Sequence, residues 1–260
     1  MKEVYIDGGG VFSYKCPQCG EWMDELGGRG VFVCSYCDIE ENHTPWGKLE
    51  ELKICNFCTD LCDIAFKRRY KPEEFIVGHK TSPILIVGLN PKTPKDEEEP
   101  YNDLFSSEDL EQYFDNANAV HPYYGAFKNV SEKLFGLLGK EGGVAHTDII
   151  KCYSKEFPPK DCTNKEIEII FDNCVPYLAR QLKKQPPKII ICNGADVCRT
   201  IKKIIKPPAN TGDNATSYIG NLDGEKIAVI LSGFIRRIDN YARARLGKEI
   251  EHYMKKYKII

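Results

Sequence analysis

Four short runs of mostly β-branched apolar residues recur from Pro83 onward and constrain the fold of this chain most strongly. They are residues 84–87, 147–150, 188–191 and 227–231. Near-continuous apolar runs of this length are typical of strands that are buried on both faces of a parallel sheet. The sequence therefore predicts a buried parallel sheet in this part of the chain.

The segments between these runs have the spacing of amphipathic helices. Thr163 and Glu166 form a possible capping box, after which apolar side chains recur at helical spacing: Ile167, Phe171, Cys174, Leu178 and Leu182. Further helices are expected over residues 127–138, near Ala195 and near Arg237, and loops over residues 95–100, 139–143 and 207–224. Residues 46–260 are thus predicted to form a three-layer α/β/α domain around a central, mostly parallel, four-stranded sheet.

Two Cys-x2-Cys pairs stand near the N-terminus, fourteen residues apart: Cys16 with Cys19, and Cys34 with Cys37. Each pair bends the backbone into a knuckle that directs two thiolates at one tetrahedral ion, and two knuckles complete a four-cysteine site. A module of residues 1–45 could not bury enough apolar surface to fold alone, so metal binding and folding should be coupled. We expect an N-terminal zinc ribbon, although four thiolates also accept iron.

A second set of cysteines begins with Cys55, Cys58 and Cys62 and has no second knuckle nearby. Any metal site there must be completed from distant segments, for which the candidates are Cys152, Cys162 and Cys174. Four thiolates from distant segments are a common way to hold an iron–sulfur cluster. The alternative is that Cys174 is a core residue, because it lies on the apolar face of its helix. The spacing alone leaves both interpretations open.

Composition indicates the setting in which such a chain works. The formal net charge is −2, so a nucleic-acid partner would have to bind a local patch rather than a global positive field. No apolar run approaches the roughly 20 residues of a membrane span, and the N-terminus lacks the apolar region of a secretory signal. Twelve cysteines in such a chain predict a cytoplasmic protein that uses them for metal binding.

Residues 84–91, ILIVGLNP, resemble the first motif of the uracil-DNA glycosylase superfamily, in particular the GINP form of its mismatch-specific branch. Further segments are similar to the iron–sulfur branch and stand in the same order: CNFCTDL at 55–61 with Arg68, HTDIIKC at 146–152, CVPYL at 174–178 and KIIICNGA at 188–195. The resemblance covers roughly residues 50–250. It implies that Cys55, Cys58, Cys152 and Cys174 ligate a [4Fe–4S] cluster. Cys62 and Cys162 are alternative ligands, because the gap between Cys152 and Cys174 is longer than is usual in the family.

The same resemblance implies a site that releases a base from DNA. Asn90, in the loop after the first strand with Gly88 and Leu89, would position the water, since an amide orients water but is no strong general base. Asp148 stands at a strand end, where it could contact the base or serve the structure. An aromatic side chain should stack on the extruded base, and the candidates are Tyr101, Phe105, Tyr123 and Tyr124. The sequence HPYY at residues 121–124 resembles a segment of the mismatch-specific branch and favours Tyr124.

The loop after the last predicted strand lacks the histidine of the His-Pro-Ser motif that most active members carry. Its sequence, ILSGFIRR at residues 230–237, is closer to the Ser-Gly-x-x-Arg form of the mismatch-specific branch, which also lacks the histidine. By that match Ser232 and Gly233 would press into DNA, with Phe234 or Ile235 as the wedge. The basic residues that follow would bind phosphates or form a solvated helix face: Arg236, Arg237, Arg243, Arg245 and Lys248.

These features predict a DNA glycosylase that hydrolyses the N-glycosidic bond of a damaged base, uracil first, after flipping it from the stack. Two alternatives stay open. One is a nucleic-acid-binding protein of the same fold that no longer cleaves, and the other is an enzyme that acts on an RNA base or a nucleoside.

Overall fold

The computed structural model describes residues 58, 62, 64, 71–91, 106–115, 120–154 and 156–260, together with the course of five strands in the N-terminal region. The chain divides into two compact units, Met1–Lys53 and Ile54–Ile260. Composition places the boundary slightly earlier, after residue 45.

The first unit contains an antiparallel sheet whose five strands follow one another in chain order. They are β1 (Val4–Ile6), β2 (Phe12–Lys15), β3 (Trp22–Glu25), β4 (Val31–Cys34) and β5 (Ile39–Asn42). Cys34 is the last residue of β4 and is in register with Ile39 of β5. Cys16, Cys19 and Cys37 lie outside the described residues, so the four-cysteine zinc site stays a prediction.

The second unit is built on a mixed sheet of five strands in the order β7-β6-β8-β10-β9. They are β6 (Ile84–Gly88), β7 (Val144–Asp148), β8 (Ile189–Asn193), β9 (Ser217–Leu222) and β10 (Glu225–Ser232). β6, β7, β8 and β10 are parallel, as predicted, whereas β9 runs antiparallel to β10 at one edge.

The sequence predicts a sheet of four strands, but the structure has five, because β9 adds a strand at one edge. β9 lies inside residues 207–224, which the sequence predicts as a loop. Its buried and less buried residues alternate, so it lacks the continuous apolar run that marks the three central strands, β6, β8 and β10.

Within the described residues, the helices of this unit are α1 (Ser107–Glu111), α2 (Glu132–Phe135), α3 (Asn164–Lys184), α4 (Ala195–Ile204) and α5 (Asn240–Lys256). Short 3-10 helices span Pro72–Glu74, Tyr113–Asp115 and Tyr124–Asn129. The capping box of α3 is confirmed: the Thr163 hydroxyl accepts from the Glu166 N–H, and the Glu166 carboxylate accepts from the Thr163 N–H. The single helix expected over residues 127–138 is split instead, because the Ser131 hydroxyl caps a new helix, α2, at the Leu134 N–H.

All residues of β6, β7 and β8 are buried, as a parallel sheet covered on both faces requires. α4 packs on β8 and β10, while α5 packs on β10 and α2. The architecture is the predicted three-layer α/β/α domain. No helix in the described part of the chain is long and apolar enough to cross a membrane.

Candidate active site at the carboxyl edge of the sheet

The parallel strands end at one edge of the sheet, and their last residues bring four chain segments together. β6 ends at Gly88, β7 at Asp148, β8 at Asn193 and β10 at Ser232. Gly88 is in register with Asp148, and Asn193 with Ser232. Ligands of open α/β sheets bind outside the carboxyl ends of the strands, so this edge is the candidate active site.

Asp148 places a buried carboxyl group at this edge. The residue is 3% exposed, and Nε2 of His146 lies 3.7 Å from its Oδ1. No residue that the structure describes donates a hydrogen bond to the carboxyl oxygens. Burial raises the pKa of Asp148 to about 7, against the opposing positive charge of Lys151. Buried polar groups almost always have partners, so this carboxyl group indicates a site that a ligand completes.

Gly88 leaves the space that the Asp148 side chain occupies. A β-carbon on Gly88 would overlap with Oδ1 of Asp148 and lie 3.0 Å from Nε2 of His146. The position of the Asp148 side chain thus requires glycine at the end of β6.

The buried side chain of Lys151 holds the main chain at Asp148 in place through hydrogen bonds. Its buried Nζ donates to Oγ1 of Thr147 at 2.8 Å, to the carbonyl oxygen of Asp148 at 2.5 Å and to Oε1 of Gln181 at 2.7 Å. Burial lowers the pKa of Lys151 to about 7, while the charges of Asp148 and Cys174 act to raise it. Three acceptors match the three donors of an ammonium group.

Tyr123, Tyr124 and His146 form an aromatic group beside Asp148. The Tyr123 hydroxyl lies 3.5 Å from Nε2 of His146, and the Tyr124 hydroxyl lies 3.3 Å from Nδ1. Burial, assisted by the charge of Lys151, lowers the pKa of His146 to about 3, so the ring is neutral. Burial and then the negative charge of Asp148 raise the pKa of Tyr123, which therefore keeps its proton.

The prediction that Tyr124 stacks on an extruded base is not supported. Tyr124 is fully buried, and its ring meets the rings of Phe114, Tyr123 and His146 edge to face. It is a wall of the site with no ring face open to a ligand. Tyr123 is only partly buried, whereas Tyr101 and Phe105 lie outside the described residues.

Asn90 lies in the loop after β6, next to the loop that follows β7. Its Nδ2 donates to Oγ of Ser154 and to the carbonyl oxygen of Pro91, both at 3.0 Å. The Leu89 carbonyl oxygen accepts from the Ile150 N–H at 2.9 Å, which fastens the two loops side by side. The amide hydrogens of Asn90 are thus engaged, and its Oδ1 can accept from a water or a base.

The loop of residues 233–238 continues from β10 at the same edge. Phe234 is 39% exposed, with the Arg237 guanidinium 6.0 Å from the centre of its ring. Ile235 is 1% exposed, so Phe234 is the one of the two wedge candidates that reaches the surface. Arg236 and Arg237 are exposed beside it.

Arg243 holds this loop in place. Its Nε donates to the carbonyl oxygen of Ile235 at 3.1 Å, and its terminal nitrogens donate to the Arg236 carbonyl oxygen at 3.4 Å and to Oδ1 of Asn240 at 3.0 Å. These bonds show that its guanidinium group donates to the loop and to Asn240. Its predicted contact with DNA stays a prediction.

Of the cysteines predicted to bind a cluster, Cys174 lies in α3 and Cys58 contacts that helix through Asn173. Cys58, Cys152 and Cys174 are buried, and Sγ of Cys58 accepts from Nδ2 of Asn173 at 3.2 Å. Cys62 and Cys162, the alternative ligands, form a disulfide with their Cα atoms 5.5 Å apart. Cys55 lies outside the described residues. The donor chemistry fits an iron–sulfur group, because buried thiolates that accept N–H bonds are its usual ligands.

Sequence reasoning gave no role to His146, Lys151 or Asn193, which the structure places at the site. All three are polar residues within or just after otherwise apolar strands, and all are buried. A polar residue within or just after an apolar strand is the sequence feature that could have identified them, because polar residues buried near strand ends often belong to functional sites.

The comparison with known proteins identifies the family of the chain. No curated protein matches the chain. The family model of the uracil DNA glycosylase superfamily matches residues 75–248. This range contains the whole mixed sheet and every site residue named above except Cys55, Cys58 and Cys62. The chain therefore belongs to the uracil DNA glycosylase superfamily.

Proposed function

We propose that this protein is a DNA glycosylase that hydrolyses the N-glycosidic bond of uracil after the nucleotide is flipped out of the stack. The observation that carries the proposal is the buried carboxyl group of Asp148, which receives no hydrogen bond from the described residues and lies at the ligand-binding edge of the sheet. A flipped base would supply the missing partner. Membership in the superfamily supports the reaction class.

The neutral carboxyl group of Asp148 complements uracil. It offers one O–H donor and one carbonyl acceptor. The Watson–Crick edge of uracil offers the O4 acceptor and the N3–H donor, so two hydrogen bonds would form side by side. The bond to O4 would also stabilise negative charge that develops on the departing base. The raised pKa of Asp148, about 7, supplies the necessary proton near neutral pH.

Asn90 would orient the attacking water through its Oδ1, because its Nδ2 is held by Ser154 and Pro91. An amide cannot remove a proton efficiently. The reaction would therefore need stabilisation of the leaving base in addition to the water that Asn90 orients.

The loop after β10 would engage the DNA. Ser232 and Gly233 would approach the strand, and the exposed ring of Phe234 would fill the space that the flipped base leaves. Arg236 and Arg237 flank this ring and would contact phosphates, which fix the position of the duplex without reading its sequence.

We further propose two metal groups with structural roles. Cys16, Cys19, Cys34 and Cys37 would bind zinc, and Cys55, Cys58, Cys152 and Cys174 would ligate a [4Fe–4S] cluster. The proposed set leaves out Cys62 and Cys162, which pair with each other.

The proposal is tested by base release from single- and double-stranded oligonucleotides that carry uracil, hypoxanthine or a mismatch. We expect the wild type to leave abasic sites, Asn90→Ala to lose this activity, and Lys226→Ala, an exposed change at the start of β10, to retain it. Binding without base release would identify the non-cleaving alternative. Release from RNA or free nucleosides alone would identify the other alternative.

A further inference from the structure

Asn193, the last residue of β8, uses both ends of its side chain in bonds to two different parts of the site. Its Oδ1 accepts from the Ile235 N–H at 2.8 Å, and its Nδ2 donates to the Tyr123 hydroxyl at 2.6 Å. Because a main-chain N–H can only donate, the amide oxygen must face Ile235 and the amide nitrogen must face Tyr123. The residue is 2% exposed, so water does not substitute readily for either bond.

The bond from Asn193 to Tyr123 determines which atoms donate and which accept in the contacts between Tyr123, His146 and Tyr124. The Tyr123 oxygen accepts from Asn193, so its own proton can point to Nε2 of His146, 3.5 Å away. Nε2 then serves as an acceptor, and the neutral ring carries its proton on Nδ1, towards the Tyr124 hydroxyl. The same Nε2 lies 3.7 Å from Oδ1 of Asp148. The Tyr123–His146 pair thus borders the carboxyl group.

The bond to Ile235 anchors the DNA-facing loop. Ile235 is buried between exposed neighbours, its N–H bonds to Asn193, and its carbonyl oxygen accepts from Arg243. Both main-chain polar groups of this residue are therefore clamped. Any movement of this loop on DNA would strain these two bonds, and the bond to Asn193 is linked through the same side chain to Tyr123.

We propose that Asn193 is a positioning residue that couples the loop of residues 233–238 to the Tyr123–His146 pair beside Asp148. Binding of this loop to DNA and the orientation of the Tyr123 and His146 side chains beside Asp148 would then depend on each other. The role of this coupling in DNA binding rests on the proposed glycosylase function, whereas the coupling itself can be measured in the protein without DNA.

The coupling is measured by residue-resolved hydrogen exchange of the full-length protein. Tyr123→Phe removes one hydroxyl and leaves the Asn193–Ile235 bond possible. Loss of one partner of a buried amide should loosen the other, so we expect the Ile235 amide to exchange on the order of five-fold faster. Tyr218→Phe removes a buried hydroxyl that bonds to the Ile205 carbonyl oxygen instead, and it should leave the Ile235 amide unchanged.

The reverse direction is tested at His146, because coupling between two sites is reciprocal. Arg243→Ala frees the Ile235 carbonyl oxygen, and we expect the ring-nitrogen resonances of His146 to shift. In an Asn193→Ala background, Arg243→Ala should cause no further shift.

Three results would overturn the inference: unchanged Ile235 exchange in Tyr123→Phe, an equal effect of Tyr218→Phe, or a His146 shift that persists without Asn193. Failure of the proposed function is a separate result. It would appear as a wild type that releases no base, and it would leave these spectroscopic outcomes as they are.

Discussion

Nε2 of His146 lies 3.7 Å from Oδ1 of Asp148, on the same face of β7, yet the two side chains do not form an ion pair. The residues are two apart in a strand, which directs both side chains to one side. Burial lowers the pKa of His146 to about 3 and raises the pKa of Asp148 to about 7. Both groups are therefore neutral over much of the acidic range, and of these two groups it is Asp148 that changes charge near neutral pH.

The first prediction follows from this charge change. Uracil release should fall as the pH rises through about 7, because the carboxylate form of Asp148 loses its O–H and repels O4 of uracil. Asp148→Asn retains one donor and one acceptor at every pH, so it should keep uracil release and lose the decline. Single-turnover rates between pH 5.5 and about 8.5 measure both profiles.

Stability gives an independent check of the same carboxyl group. The pKa of Asp148 rises from 3.8 in the unfolded chain to about 7 in the folded protein, so its contribution to the free energy of unfolding is largest below pH 3.8. This contribution is lost as the pH rises towards 7. Asp148→Asn should remove that loss, as measured by denaturant unfolding across the range. An identical pH dependence of unfolding in the two proteins would contradict the raised pKa.

The second prediction concerns Gly88. Gly88→Ala places a methyl group against the carboxyl group of Asp148 and displaces it, so we expect base release to fall at least about a hundred-fold. Overpacking should also cost roughly 1–3 kcal/mol of stability. Gly125→Ala is the matched control, because a β-carbon there meets no atom within 4 Å. Activity of Gly88→Ala close to that of Gly125→Ala would show that Asp148 is not needed where the structure places it.

Much of this fold follows from the sequence, and its failures have physical causes. Continuous apolar runs identified the central strands β6, β8 and β10, because strands buried on both faces need them. The run at residues 147–150 overlaps the edge strand β7 only at Thr147 and Asp148, because β7 itself carries polar residues. The edge strand β9 alternates buried and exposed residues and includes Gly220 and Asn221, so it was predicted as a loop. Ser131 interrupted a predicted helix because its side chain bonds to the backbone as a cap.

The site was predictable where one segment carried it and unpredictable where the fold assembled it. Gly88, Asn90 and Asp148 stand at the ends of recognisable strands. The role of Asn193 depends on its contacts with Tyr123 and Ile235, which are 70 and 42 residues away in the chain. No local pattern reports contacts of that separation.

The third prediction concerns the metal groups. Protein purified without oxygen should absorb broadly in the visible and contain both iron and zinc. Cys58→Ser, Cys152→Ser and Cys174→Ser should each lose the absorption, because each removes a proposed ligand. Cys198→Ser is the matched control and should remain coloured. Colourless wild-type protein that contains zinc alone would refute the cluster and leave the ribbon intact.

Cys62 and Cys162 separate the two proposed ligand sets. Because these residues are bonded to each other, Cys62→Ser and Cys162→Ser should retain the visible absorption. Loss of absorption in either variant, with retention in Cys152→Ser or Cys174→Ser, would show that the alternative set ligates the cluster. Iron content per protein, measured on the same samples, gives the stoichiometry.

The fourth prediction concerns the exposed ring of Phe234. In a duplex, a wedge must fill the gap left by the flipped base, whereas a single strand has no such gap. Phe234→Ala should therefore slow uracil release from double-stranded DNA by about ten-fold or more, and from single-stranded DNA much less. Tyr241→Ala removes a more exposed ring, 82% exposed, near the start of α5, and should affect both substrates alike. Equal losses on both substrates for Phe234→Ala would mean that the ring binds the strand as a stacking surface and does not replace the base.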